Sequence, residues 1–499
     1  MKKINKKTIL ILSYVAVVVS VSFLVNSNVA HAANVYIDPT CSNPGNGSKG
    51  VCDSTTGDNP LKNWPDSFNA NNDYYQKSGT ISKTSVKRNI YSVNGNENNR
   101  IVFGAYYLNG NTEVIGVKGA KPILEETSKE TNLFSIKNSD YLHFQNLDIR
   151  GGFKMISILG GMDHFLMEDC VVGKGTAQYG FFMHGGYNAC DSKYPKGGNN
   201  YGEIRNTVFD FDPGTYGIDQ IGTGGNLQDC LSFRAGTNYW KIHDNEFIDC
   251  AHVGLGLSTD SNCDKIDTSY NEIYDNYFHG TPAGKALKYQ NRWGSIHGSE
   301  YSHHNKAYRN LIIGQASDSK LGGYKNEIFN NIFANFENVR NYRSLNTGIG
   351  LVGFGPGYVS IENKLYNNIF YDIPHAGVNV GVSDPEIAEN AIRGNIIANN
   401  IIYNTGHGYN FGTPNALGTA LWIRQSQQQT GPNKYFNNLI YNDFNNQPIL
   451  YSYFTNRKTV DEFNAMNGED GNTMQNNKSS NPLFVNPSAG DFSLKSGSP

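Results

Sequence analysis

Between Gly284 and Arg309 the chain reads GKALKYQNRWGSIHGSEYSHHNKAYR. Lys285, Lys288, Arg292, His297, His303, His304, Lys306 and Arg309 concentrate positive charge there. A lysine crowded by an arginine loses proton affinity through like-charge repulsion and becomes a usable base near neutral pH. A second cation nearby can hold a carboxylate and the enolate-like charge that appears when the proton alpha to it is removed. The residue types fit that proton abstraction, with Lys288 as base and Arg234 or Arg292 as the neutralising cation. The competing reading of each is a solvated cation on a hydrophilic surface.

Other candidates are weaker signals. His184, in FFMHGGYN, is either a general base facing a groove or a stacked turn residue. Adjacent His303 and His304 in a strand point to opposite faces and form no ready chelate. STDSNCDKIDTS offers Asp260, Asp264 and Asp267, hard oxygen ligands of the kind Ca²⁺ takes, in a spacing that is not an EF-hand. A solvated acidic loop is the alternative. Hydrolysis of a glycosidic bond would need two carboxylates, and Asp210, Asp212, Asp219 and Asp229 form an acidic cluster without a recognisable catalytic pairing.

Side chains so far apart in sequence need a scaffold, and the chain shows one as a repeat. A polar residue, an Asn or Asp, one residue and an apolar one recur around Asn146, Asp169, Asn206, Asn245, Asn276, Asn310, Asn331, Asn368, Asn400 and Asn438. IRGNIIANNIIYNTGHG (392–408) is the densest instance. A parallel β-helix explains it. Asn tolerates the left-handed backbone of tight bends, stacked Asn side chains bond along the axis, and neighbouring Ile, Val, Leu and Phe fill one continuous core.

A further strand follows each anchor, seen in CLSFRAG, VGLGLS, ALKYQN, GIGLVGF, GVNVGVS and ALWIRQS. Alternation turns Leu231/Phe233, Leu255/Leu257, Leu287/Tyr289 and Leu421/Ile423 inward. Ser232/Arg234, Gly256/Ser258, Lys288/Gln290, Asn379/Gly381 and Trp422/Arg424 then face out on one sheet. Lys288 and Arg234 are expected about two coils apart, near 10 Å.

With this repeat the chain resembles secreted right-handed parallel β-helix proteins of the pectate-lyase-like superfamily. VYIDPTCSNPGNG at the start and NPLFVNPSAGDFSLKSGSP at the end add to the likeness. The resemblance implies an all-β, single-stranded right-handed parallel β-helix with caps at both ends. It also implies action on an acidic, uronate-containing polysaccharide, a lyase first and a hydrolase or epimerase second, or else non-catalytic binding of a cell-surface glycan. On that reading Trp293 and Trp422 are sugar platforms, His297 and Arg424 further substrate contacts, and Trp240 is packed inside. Calcium, at the Asp260, Asp264 and Asp267 loop, is the one cofactor expected.

The organisation expected is a signal peptide over 1–33, an N-terminal cap over 34–125, coils over 126–455 and a C-terminal cap over 456–499, with TVDEFNAMNG its one short helix. MKKINKK followed by an apolar run and AHAA has the form of a cleaved secretory leader, an uncleaved anchor being the alternative. Removing that leader takes four lysines and no acid from a net charge of −3, leaving −7. No basic footprint for nucleic acid remains, and no second apolar run calls for a membrane; a secreted or surface-held monomer is expected. Such a location permits disulfides. Cys41 and Cys52, flanking a short Gly/Asn/Ser loop, are the best pair, and the odd total of seven Cys leaves at least one thiol over.

Overall fold

The computed structural model describes residues 33–54, 57–128, 130–173, 179–185, 198–211, 229–250, 253–258, 267–280, 294–298, 302–314, 319–336, 347–353, 359–382, 391–408, 419–424, 431–451 and 456–499. The chain winds as a parallel β-helix. Three sheets run along it, of 15, 12 and 13 strands, parallel except where Thr112–Ile115 and Asn456–Lys458 pair antiparallel. Successive coils give one strand to each: Leu142–Gln145, Asp148–Gly151 and Lys154–Ile158, then Leu166–Glu168, Val171–Gly173 and Tyr179–His184. The winding already includes Asn72–Lys77, Ile81–Thr84 and Arg88–Tyr91, each paired into its sheet.

Two kinds of residue make the bends, and they are neighbours in sequence. The first has a positive φ: Asp275, Arg309, Asn330, Asn367, Asn399 and Asn437 all lie between 55° and 56°. The next is an Asn whose side chain points inward. The amide of Asn310 donates to Asn331 Oδ1 (2.9 Å), and those of Asn331 and Asn368 donate to Asn368 and Asn400 (3.0 and 3.1 Å). Each Oδ1 also accepts the backbone N–H of the Asn one coil earlier, as from Asn310 to Asn331 (2.9 Å). A second ladder runs through Asn271, Asn305, Asn326, Asn363, Asn395 and Asn433. The repeat expected from sequence merges the two roles. Its first anchors, Asn146, Asp169 and Asn206, are left-handed residues, whereas those from Asn245 onward are ladder residues one position later.

Inside, like residues stack at the strand spacing. The rings of Phe209, Phe247 and Phe278 follow one another at 4.8 and 4.4 Å. Leu231, Phe233, Leu255, Leu257, Leu421 and Ile423 all join this core, as alternation requires. At the C-terminal end the helix Val460–Ala465, capped by Thr459 and Glu462, buries Val460 and Phe463. Phe463 packs on Tyr435 (5.6 Å between rings) and so covers core that a further coil would otherwise meet. Cys41–Cys52 and Cys230–Cys250 are disulfides and Cys170 is a buried free thiol. The two bonds fit an oxidising, extracytoplasmic compartment. Among the described residues no helix is long and apolar enough to cross a membrane.

Candidate functional site

The outward face of the third sheet gathers the candidate residues. Five adjacent strands form it, Arg88–Tyr91, Phe134–Lys137, Lys154–Ile158, Tyr179–His184 and Asp229–Arg234. Ser135, Ser157, Phe182 and Ser232 are in register across it and point away from the core. Lys154 arrives there through a corner made by Gly151 and Gly152, at φ +74° and +83°. A Cβ on Gly152 would stand 2.7 Å from the Thr131 carbonyl oxygen. Only glycine makes this bend without displacing the neighbouring coil.

Lys154 and Arg234 meet over one ring. Lys154 Nζ is 3.3 Å from the centre of Phe182, and the Arg234 guanidinium carbon is 5.3 Å from the same point. Tyr179 closes the group: Arg234 Nη2 donates to its hydroxyl (3.3 Å), and Lys154 Nζ is 5.2 Å from its ring. Four other arginines are paired with acids: Arg88 with Asp66, Arg150 with Asp148, Arg205 with Glu168 and Arg309 with Asp275. Lys154 and Arg234 have no carboxylate partner among the described residues, and Arg234 Nε is buried with no acceptor there. Burial first, and Arg234 second, push the Lys154 ammonium down to about 8. Burial raises the Tyr179 hydroxyl, against the pull of Arg234, so it remains a proton donor at neutral pH.

The Cys230–Cys250 bond ties the strand bearing Arg234 to the turn that precedes Val253–Ser258. His184 lies in register beside Arg234 and is 1 % exposed, so a polymer on this face does not reach it directly.

The other expected residues fall elsewhere. Lys288, Arg292, Trp293, Asp260 and Asp264 lie outside the described residues. The sheet position foreseen for the strand bearing Lys288 belongs instead to Gly294–Gly298. Leu255 pairs with Ile296 and Gly256 with His297, which pairs onward with Lys320. The register that would set Lys288 two coils from Arg234 is therefore not formed. How the residues on either side of this strand divide between coils could not be read from sequence. Trp422 and Arg424 do point away from the core, but Trp422 is 2 % exposed and Arg424 covers its ring at 3.8 Å. Its face is not open as a sugar platform. Trp240 is packed, its Nε1 donating to the Asn199 carbonyl (3.0 Å). His303 and His304 do not diverge: their Nδ1 atoms lie 2.7 Å apart. Asp267 is 3.0 Å from His303 Nε2, and among the described residues no group of three His, Cys, Asp or Glu side chains could hold a metal. Of the three expected calcium ligands, Asp260, Asp264 and Asp267, only Asp267 lies among the described residues.

On the first sheet His243, Tyr274, Tyr308, Phe329 and Tyr366 stack face to face at 4.6 to 5.1 Å, leaving edges rather than faces for a ligand. Beside them Glu327 and Lys364 pair at 2.8 Å.

No family model matches the sequence, and no curated protein matches it. Solved structures do resemble the fold. A mannuronic-acid-specific polysaccharide family 6 lyase from human gut microbiota aligns with 15 % identity over 82 % of each chain, at a TM-score of 0.40. A GH136 lacto-N-biosidase from Eubacterium ramulus aligns with 10 % identity over 90 % of this chain and 68 % of its own, at 0.42. An alginate lyase from a Paenibacillus species aligns with 13 % identity over 55 % of this chain and 89 % of its own, at 0.29. At these scores none carries an argument about chemistry, which has to come from the site.

Proposed function

We propose that the protein is a lyase of an acidic, uronate-containing polysaccharide, acting at Lys154, Arg234 and Tyr179. One observation supports the reading: two neighbouring, part-buried cations that pair with no carboxylate among the described residues, one of them close to its own deprotonation. Such a pair is costly without an anion and is suited to receiving one. Arg234 takes the uronate carboxylate. The neutral amine of Lys154 removes the proton alpha to it, the electron pair forms the C4–C5 double bond, and the C4–oxygen bond breaks. Tyr179 is placed to return a proton to the leaving oxygen. Negative charge grows on the carboxylate in the transition state, where Arg234 stabilises it most.

A non-catalytic glycan-binding surface is the second reading. The aromatic faces around Lys154 favour its charged form, and a permanently charged lysine would bind without reacting. Incubation with pectate, alginate and glycosaminoglycans, followed by ultraviolet absorbance of unsaturated uronate, separates the two. A rise lost in Lys154→Ala supports the lyase. Binding without any rise supports the surface, and a rise in reducing ends alone would point to hydrolysis.

A further inference from the structure

Beside Lys154, on the side away from Arg234, the third sheet opens into a cleft of about 460 Å³. Lys87, Glu130, Asn132, Phe153, Lys154 and Ser157 are among its lining residues. Nothing in the reaction just described uses it. Two features suit it to a sugar chain. Phe153 is half-buried beside the Lys154 ammonium, 5.7 Å from ring centre to Nζ, and offers an apolar surface. Lys87 supplies a cation at the far wall, while Arg88 next to it is spent on Asp66.

The spacing is informative. Lys87 adjoins the first of the five strands, Lys154 opens the third and Arg234 ends the fifth. Strands two apart are separated by about 10 Å, which is about the length of a disaccharide unit in an extended polysaccharide. A uronate held over Phe182, on the fourth strand, stands three strands, about 15 Å, from the strand that Lys87 adjoins, a distance that the next two sugar units and the lysine side chain span together.

We infer that this cleft binds the two sugar units adjoining the reacting one, with Lys87 taking the carboxylate of the farther unit and Phe153 packing on the nearer ring. The inference rests on the proposed site but can fail separately from it. Calorimetry with a uronate tetrasaccharide and a disaccharide tests it on the whole protein. Lys87→Ala and Phe153→Ala should each weaken the tetrasaccharide about tenfold, the scale of one charge-assisted bond. Lys87→Ala should leave the disaccharide unchanged, and Lys87→Arg should retain the tetrasaccharide affinity. Equal tetrasaccharide affinity in wild type and Lys87→Ala, with unchanged circular dichroism, would overturn the inference. Lys87-dependent binding with no unsaturated product from any polymer would instead overturn the lyase reading and leave the cleft standing.

Discussion

The ammonium of Lys154 and the guanidinium of Arg234 rest against the same phenyl ring, that of Phe182, at 3.3 and 5.3 Å from its centre. They come from strands two apart, and Tyr179–His184 runs between them. The two cationic groups are therefore no farther from each other than those two distances combined. That proximity places the proposed base beside a charge that, after burial, lowers its proton affinity.

Removal of the base should be close to complete loss. Lys154→Ala is expected to lower kcat/KM by about 10²- to 10⁴-fold, the usual worth of a positioned base. Lys154→Arg should not restore it, because an arginine stays charged and cannot accept the proton. Steady-state release of unsaturated uronate measures both.

The pH profile has a definite sign. Lys154 acts as the neutral amine, so kcat/KM should rise with pH and level off above about 8, the value set by burial and by Arg234. Arg234→Gln removes the repelling charge, and the rising limb should move to higher pH as well as fall in height. The same shift affects folding. With its folded pKa depressed, Lys154 binds fewer protons folded than unfolded between about 8 and its ordinary range, so stability gains with pH through that window. Lys154→Met should flatten that dependence in thermal melts.

The two bend residues of each coil should respond oppositely to substitution. Asn330 has φ +56°, so Asn330→Gly should be nearly neutral. Asn331 accepts from both the backbone and the side chain of Asn310. Asn331→Ala leaves those buried donors unpaired and should cost about 2–4 kcal/mol. Denaturant melts of the two variants give the comparison directly.

Loss of the Cys230–Cys250 bond should destabilise the fold and the site together. Its two cysteines are 20 residues apart, and closing a loop of that size is worth about 3 kcal/mol on chain entropy. The Cys230→Ala/Cys250→Ala double variant should melt earlier and lose kcat/KM more than Cys41→Ala/Cys52→Ala, whose bond lies far from Arg234 in sequence.

The winding was legible because it is local. Apolar and Asn positions such as Ile397, Asn400 and Ile402 recur within a few residues of each other, and stacking needs nothing else. Arg234 was legible too, as the outward partner of Leu231 and Phe233. Its partner was not. Lysines mark no face, and which one stands beside Arg234 depends on how the variable insertions divide between coils. Lys288 had the stronger local setting, among other cations. Lys154 sits in the apolar stretch KMISI, where the Gly151–Gly152 corner just ahead of it was the only signal. Trp422 shows the same limit in another form: alternation gave its direction, but its covering by Arg424 depends on packing across the sheet.

The most direct test of the account is the titration of the Lys154 amine itself, followed by NMR in protein labelled at lysine and assigned with Lys154→Arg. The account predicts a midpoint near 8, moving upward in Arg234→Gln and again when a uronate oligosaccharide supplies the missing negative charge. A midpoint in the ordinary lysine range, indifferent to Arg234, would contradict it.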